Sequence, residues 1–231
     1  MATIADNLQA VKTRIGRAAG AARRDPATVT LLAVSKTHPL ALIREALAAG
    51  QKAFGENYVQ EAIEKMKGLA GVEWHLIGPL QSNKTRLAAE RFDWVHTITS
   101  EKIARRLSEQ RPAGLPPLNV LIQVNVSGEA TKTGASPGEV FALSEKTSSL
   151  KGLRLRGLMA IPEPTGDVGL QRKRFREVRE IFEKLKSRGF AFDTLSMGMS
   201  DDMESAIAEG ATLVRIGTAI FGQRKKVKSA A

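Results

Sequence analysis

Eight short apolar runs recur along the chain, each followed by a stretch in which apolar residues return every three or four positions, and this alternation constrains the fold more than any other feature. The runs are TVTLLAVS (28–35), KAFG (52–55), EWHLIG (73–78), WVHTI (94–98), LNVLIQVNV (118–126), LRLRGLMA (153–160), TLSMG (194–198) and TLVRIG (212–217). Their length and bounding turn residues predict strands. The segments between them, such as PLALIREALAAG and ENYVQEAIEKMKGLAG, carry helical spacing and close on the glycine that favours a helix end. Strands separated by helices pair in parallel through right-handed crossovers. Eight such units, preceded by an amphipathic helix in MATIADNLQAVKTRIGRAAGAARR, fit an α/β fold, a minimal (β/α)8 TIM barrel, better than an open doubly wound sheet. Spacing alone leaves closure open. No linker divides the chain: GLPP (114–117) and IPEPTGDVG (161–169) are the strongest loop signals, and both fall between units. One domain over 1–231 is expected, its basic tail (224–231) disordered.

Several function classes are poorly supported. With no cysteine, thiolate metal sites, disulfides and a cysteine nucleophile are excluded. His38, His75 and His96 belong to three different units and read as satisfied polar residues rather than a metal cluster. No GxSxG elbow occurs, and the acidic residues at strand ends, chiefly Glu56, Glu163, Asp201 and Asp202, do not form the evident facing pair of a glycosidase. No apolar run approaches the roughly 20 residues that span a bilayer, and no signal peptide is evident, so a cytoplasmic protein without membrane association is expected.

The net charge of +11 raises nucleic acid as a partner. Much of the charge lies in QRKRFREVREIFEKLKSRG, where Phe175, Val178, Ile181, Phe182 and Leu185 recur at helical spacing and Glu177, Glu180 and Glu183 alternate with the basic residues. That pattern reads as a solvated helix face. One tyrosine and two tryptophans also supply little material for base stacking, so no nucleic-acid partner is expected.

In barrels the site lies at the C-terminal strand ends, where the βα loops converge. The residues there are rich in glycine, hydroxyls, amides and lysine. MGMSDDMESAIAEG places Gly198 and Ser200 ahead of a helix, and RIGTAIFG places Gly217 and Thr218 after the last strand. Backbone N–H groups at such turns, with two hydroxyls, suit a phosphate; the competing reading is that Ser200 merely caps its helix. LLAVSKTHP puts Lys36 at the end of the first strand. Partial desolvation there would lower its pKa toward the range in which a neutral amine captures an aldehyde as an imine. An ordinary surface lysine at a strand end is the alternative, and spacing does not choose between the two.

The ordered series LLAVSKTHP, FGENYVQE, WHLIGPLQSNK, NVSGEATKTG, RGLMAIPEP and LSMGMSDDMESAIAEGATLVRIGTAIFG resembles the YggS/PROSC family, the pyridoxal phosphate homeostasis proteins, from about residue 8 to 223. The resemblance implies a fold type III barrel similar to the barrel domain of alanine racemase, with pyridoxal 5′-phosphate as cofactor and no established enzymatic activity. By the same resemblance Lys36 matches the lysine that holds the cofactor as a reversible internal aldimine, and Ser200, Gly217 and Thr218 match the phosphate-binding positions. Arg215 matches the arginine near the pyridine nitrogen, while Asn57 and His75 match pocket positions around the ring. An arginine keeps its proton, so the ring nitrogen is expected to stay unprotonated and the cofactor to be a weak electron sink.

A two-base racemase needs a second acid–base group opposite the lysine, typically a tyrosine from a second domain. Here the barrel consumes nearly the whole sequence, and the only tyrosine, Tyr58, opens a helix in the GENY segment. The expected role is therefore carriage or buffering of pyridoxal phosphate, by a monomer that passes it to pyridoxal-phosphate-dependent apoenzymes. A low-activity amino-acid racemase is the alternative. Lys84 and Lys132 are further lysines at the mouth of the site, with solvated loop lysines as the plainer reading.

Overall fold

The computed structural model describes residues 2–126 and 133–223. Eight parallel strands close into one barrel in sequence order: β1 (Thr30–Val34), β2 (Ala53–Glu56), β3 (Glu73–Leu76), β4 (Trp94–Ile98), β5 (Leu118–Gln123), β6 (Leu153–Met159), β7 (Thr194–Ser196) and β8 (Leu213–Ile216). The closing seam pairs Leu32 of β1 with Arg215 of β8. The helices are α1 (Ile4–Ala21), α2 (Leu40–Ala48), α3 (Val59–Met66), α4 (Thr85–Arg91), α5 (Glu101–Gln110), α6 (Val140–Ser148), α7 (Val168–Ser187), α8 (Met203–Ala208) and α9 (Thr218–Phe221). Closure decides against the open sheet.

The two-residue period of the strands sorts the core into layers. Leu31 and Ala33 pack outward into the large cluster between sheet and helices, whereas Leu32 and Val34 join Ile77 and Leu213 in a separate cluster inside the barrel. Trp94, Leu121 and Met159 form a second inner cluster, while Val95, Val120, Ile122 and Leu158 belong to the outer one. Parallel strands buried on both faces carry near-continuous apolar runs, which is why all eight were visible in the sequence.

α1 begins with a reciprocal cap, in which Thr3 Oγ accepts from the Asp6 N–H at 3.1 Å and the Asp6 carboxylate accepts from the Thr3 N–H at 2.9 Å. It buries Ile4, Leu8, Val11, Ile15 and Ala19 at helical spacing. Its polar side and the turn after it reach residues late in the sequence: Asn7 Nδ2 donates to the Ile220 carbonyl at 2.9 Å, and Arg24 Nη1, just past the helix, to that of Ile207 at 2.8 Å. α2 closes ahead of Gly50 as expected, but α3 stops at Met66, short of Gly71, because Gly68 interrupts the run. On α7, Phe175, Val178, Phe182 and Leu185 are buried, and Arg172, Arg176 and Arg179 converge on the buried Glu209 carboxylate at 2.9, 2.9 and 3.2 Å. Part of the basic helix face is thus committed to an internal ion-pair cluster. No described helix is long and apolar enough to cross a membrane.

Candidate functional site

The turn after β1 is held on both sides of Lys36. The Ser35 N–H donates to the Gly55 carbonyl at 3.0 Å, and its hydroxyl to Glu56 Oε1 at 2.6 Å. Lys65 Nζ, reaching up from α3, donates to the Ser35 carbonyl and to Glu56 Oε1, both at 2.8 Å, and to Glu61 Oε1 at 2.7 Å. Glu61 also accepts the Thr37 N–H. Thr37 has φ 65°, a left-handed conformation that a β-branched residue adopts only when its surroundings impose it. Burial pushes the Glu56 carboxyl above its ordinary range, against the pull of Lys65, and leaves Oε2 without a partner.

The opposite wall comes from β7, β8 and the turns after them. Gly198 has φ 95°, and a Cβ there would stand 2.6 Å from the Ala206 Cβ, so the turn into α8 requires glycine. The Met199 N–H donates to Asp202 Oδ1 at 2.6 Å, and Arg14 Nη2, from α1, to the Ser200 carbonyl at 3.2 Å. No side-chain hydrogen bond caps α8, so capping does not account for Ser200. A Cβ on Gly217 would lie 3.1 Å from the Val34 carbonyl oxygen, across the β1–β8 seam. Arg215 is buried, with Nη1 donating to Ser196 Oγ at 2.7 Å and Nη2 to the Ala160 carbonyl at 2.9 Å. Burial lowers its pKa to about 10, with Asp202 opposing. It therefore remains a cation and a donor at neutral pH.

These walls enclose a cavity of about 600 Å³ at the C-terminal strand ends, within the size range of small-molecule sites. Lys36, Asn57, Ser200, Arg215, Gly217 and Thr218 all line it. His75 does not. The inward-facing residue of that chain segment at cavity level is Ile77; His75, two residues earlier, lies one layer deeper and bonds to Glu73 and His96. The structure therefore does not bring it to the cavity wall with the other expected site residues. Lys84 ends a short turn, Ser82–Lys84, and does not line the cavity. Lys132 and the basic tail lie outside the described residues.

Sequence reasoning missed Arg14 and His38, both of which line the cavity. Arg14 gives no local signal, because its neighbours Ser200 and Glu204 come from the other end of the chain. His38 was visible in SKTHP, but nothing there places its ring 5.1 Å from that of Phe221. Among the described residues, no group of acidic residues and histidines could hold a metal ion.

The donor set suits a phosphorylated aldehyde. It offers one primary amine, two hydroxyls beside a close-packed glycine turn, and arginines at two points of the rim and floor. Residues 4–225 match the family described as "Alanine racemase, N-terminal domain". A pyridoxal phosphate homeostasis protein of Pseudomonas aeruginosa is 61% identical over 226 residues, covering 97% of each chain. The solved structure of PipY from Synechococcus elongatus, with pyridoxal phosphate bound, is 38% identical with a TM-score of 0.84 and covers 95% of this chain and 100% of that one. An alanine racemase of Clostridium difficile shares the fold at 15% identity and a TM-score of 0.75, this chain matching 59% of its length. By sequence along nearly its full length, and by the barrel it forms, the chain belongs to the pyridoxal phosphate homeostasis protein family.

Proposed function

We propose that this protein binds pyridoxal 5′-phosphate in the strand-end cavity and serves as a carrier or buffer of the cofactor rather than as an enzyme. The observation that carries the reading is that Lys36 of the first unit shares one cavity with Ser200, Arg215, Gly217 and Thr218 of the last two. When bound, pyridoxal phosphate supplies a reactive aldehyde and an anionic phosphate. Lys36 Nζ would be the nucleophile for the aldehyde carbon, and the Ser35–Glu56–Lys65 network fixes the backbone that presents it. The hydroxyls of Ser200 and Thr218, which line the same wall, would hold the phosphate, and Arg14 would add positive charge there. Arg215, which keeps its own proton, would face the ring nitrogen as a donor.

Release in place of catalysis is supported by the chain's single tyrosine. Tyr58 is 59% exposed and does not line the cavity, so it is not placed as a second base across from Lys36. The recipients we propose are pyridoxal-phosphate-dependent apoenzymes, served by a monomer in the cytoplasm. Borohydride reduction of the loaded protein followed by peptide mass mapping tests the site. A label on Lys36, lost in Lys36→Ala, is expected; a label on another lysine overturns the assignment. Turnover of D- or L-amino acids that vanishes in Lys36→Ala would replace the carrier reading with a low-activity racemase.

A further inference from the structure

Behind Arg215 a line of hydrogen bonds crosses the barrel interior to its opposite end. Arg215 Nη1 lies 2.7 Å from Ser196 Oγ, which lies 3.1 Å from His96 Nδ1. His96 Nε2 lies 2.9 Å from His75 Nδ1, and His75 Nε2 lies 2.6 Å from Glu73 Oε1. The four members from Arg215 to His75 are buried, whereas the Glu73 side chain is 51% exposed in a second cavity of about 410 Å³ at the N-terminal mouth, which Arg156 and Asp193 also line.

Chemistry sets the direction of every bond in this line. An ionised carboxylate only accepts, so His75 carries its proton on Nε2. A neutral His75 then accepts at Nδ1, which requires His96 to donate from Nε2. His96 in turn accepts at Nδ1, from the Ser196 hydroxyl, whose oxygen accepts from the guanidinium. All four donors point the same way, from the cation at the cofactor end to the anion at the far mouth. Burial holds both histidines below their ordinary pKa, in the neutral forms this register needs. A proton on His75 Nδ1 would reverse the two bonds that His96 makes and bring two donors onto the Ser196 oxygen.

We propose that Glu73, His75, His96 and Ser196 are positioning residues for Arg215, fixing the orientation of its guanidinium toward the bound ring and tying its charge to a carboxylate at the opposite end of the barrel. The proposal rests on the reading that the cavity takes pyridoxal phosphate. It gives His75 a role through Arg215 in place of contact with the ligand, and it makes the N-terminal mouth a place from which the cofactor face is tuned.

Two measurements test it. Nitrogen NMR of the ligand-free protein labelled at its three histidines reports the tautomers: protons on Nε2 of both His75 and His96 are expected, and a proton on Nδ1 of His96 overturns the relay. Glu73→Leu and Glu73→Gln, changed at a half-exposed position, are then compared with the parent protein after loading with pyridoxal phosphate. The leucine variant is expected to shift the visible absorption band and raise the dissociation constant about tenfold, the scale of one lost hydrogen bond to a charged group. The glutamine variant, which still accepts from His75, is expected to recover most of the affinity, with its thermal midpoint unchanged. A leucine variant identical to the parent in band and affinity overturns the positioning role. If the parent protein takes up no pyridoxal phosphate, the cofactor reading fails and the positioning role with it, whereas the tautomer measurement still judges the relay on its own.

Discussion

Lys65 Nζ lies 2.8 Å from the carbonyl oxygen of Ser35, the residue directly before Lys36. The same ammonium neutralises Glu56, which is fully buried. Lys65→Met would strand that carboxylate with the Ser35 hydroxyl as its remaining hydrogen-bond partner, at a cost of about 3–5 kcal/mol. The double change Lys65→Met with Glu56→Gln removes the unpaired charge and is expected to restore at least half of the loss. Urea denaturation of the two variants checks this; equal losses in both would show that the pairing is not what the site depends on.

The phosphate wall predicts a loss of affinity with little loss of stability. On the proposed contacts, Ser200→Ala and Thr218→Ala would each remove one hydroxyl donor to the phosphate, and each is expected to raise the pyridoxal phosphate dissociation constant about tenfold. Arg14→Ala removes a partly exposed cation paired with Glu204, and a rise of about threefold is expected, shrinking in high salt. Equilibrium dialysis at two ionic strengths separates these effects.

Gly78→Ala tests how Asn57 is placed. A Cβ on Gly78 would stand 2.2 Å from the Asn57 carbonyl oxygen and 2.6 Å from its Cα, so backbone and not a flexible side chain must move. A stability loss of about 1–3 kcal/mol is expected, together with weaker ligand binding as the segment carrying Asn57 is displaced. An unchanged crystal structure and affinity would contradict the close approach.

The interior histidines give a pH dependence with a definite sign. Burial depresses the pKa of His75, partly offset by Glu73, and depresses that of His96 well below 6.5, with His75 and Arg215 adding to it. The unfolded chain therefore binds protons that the folded one refuses. Their stability contribution is present above pH 6.5 and is lost as the pH falls below it, by up to about 1.4 kcal/mol per group per unit. Glu56 has the opposite sign: its raised pKa makes its contribution fall as the pH rises above 4.5. Denaturation between pH 7.5 and 5.5 is expected to show declining stability, flatter in the double variant His75→Gln with His96→Gln. A flat profile in the parent protein would mean that the histidines are not held neutral.

The eight strands were legible because a parallel barrel buries both faces of each, leaving runs that only the flanking turns interrupt. Their ends were less so: the expected strand 194–198 stops at Ser196, since Gly198 turns the chain before a fifth residue can pair. Lys36, Ser200, Gly217 and Thr218 could be located from the rule that barrel chemistry sits at C-terminal strand ends. The layer that His75 occupies could not be read, because alternation tells that a residue faces inward but not in which layer. Its partnership with His96 depends on the register between adjacent strands, where His75 pairs with Trp94. Arg14 was illegible for a simpler reason, that its position is set by packing against the opposite end of the chain.

The β1–β8 seam has a consequence for how the protein comes into being. Synthesis delivers the turn at Lys36 long before the turns near Ser200 and Thr218, so the pocket does not exist until β8 docks on β1. A ligand bridging that seam holds the two ends of the sheet together and draws the population toward the closed ring by mass action. Under the proposed role, a barrel whose β8 has not docked on β1 presents Lys36 without the opposite wall that would retain the cofactor.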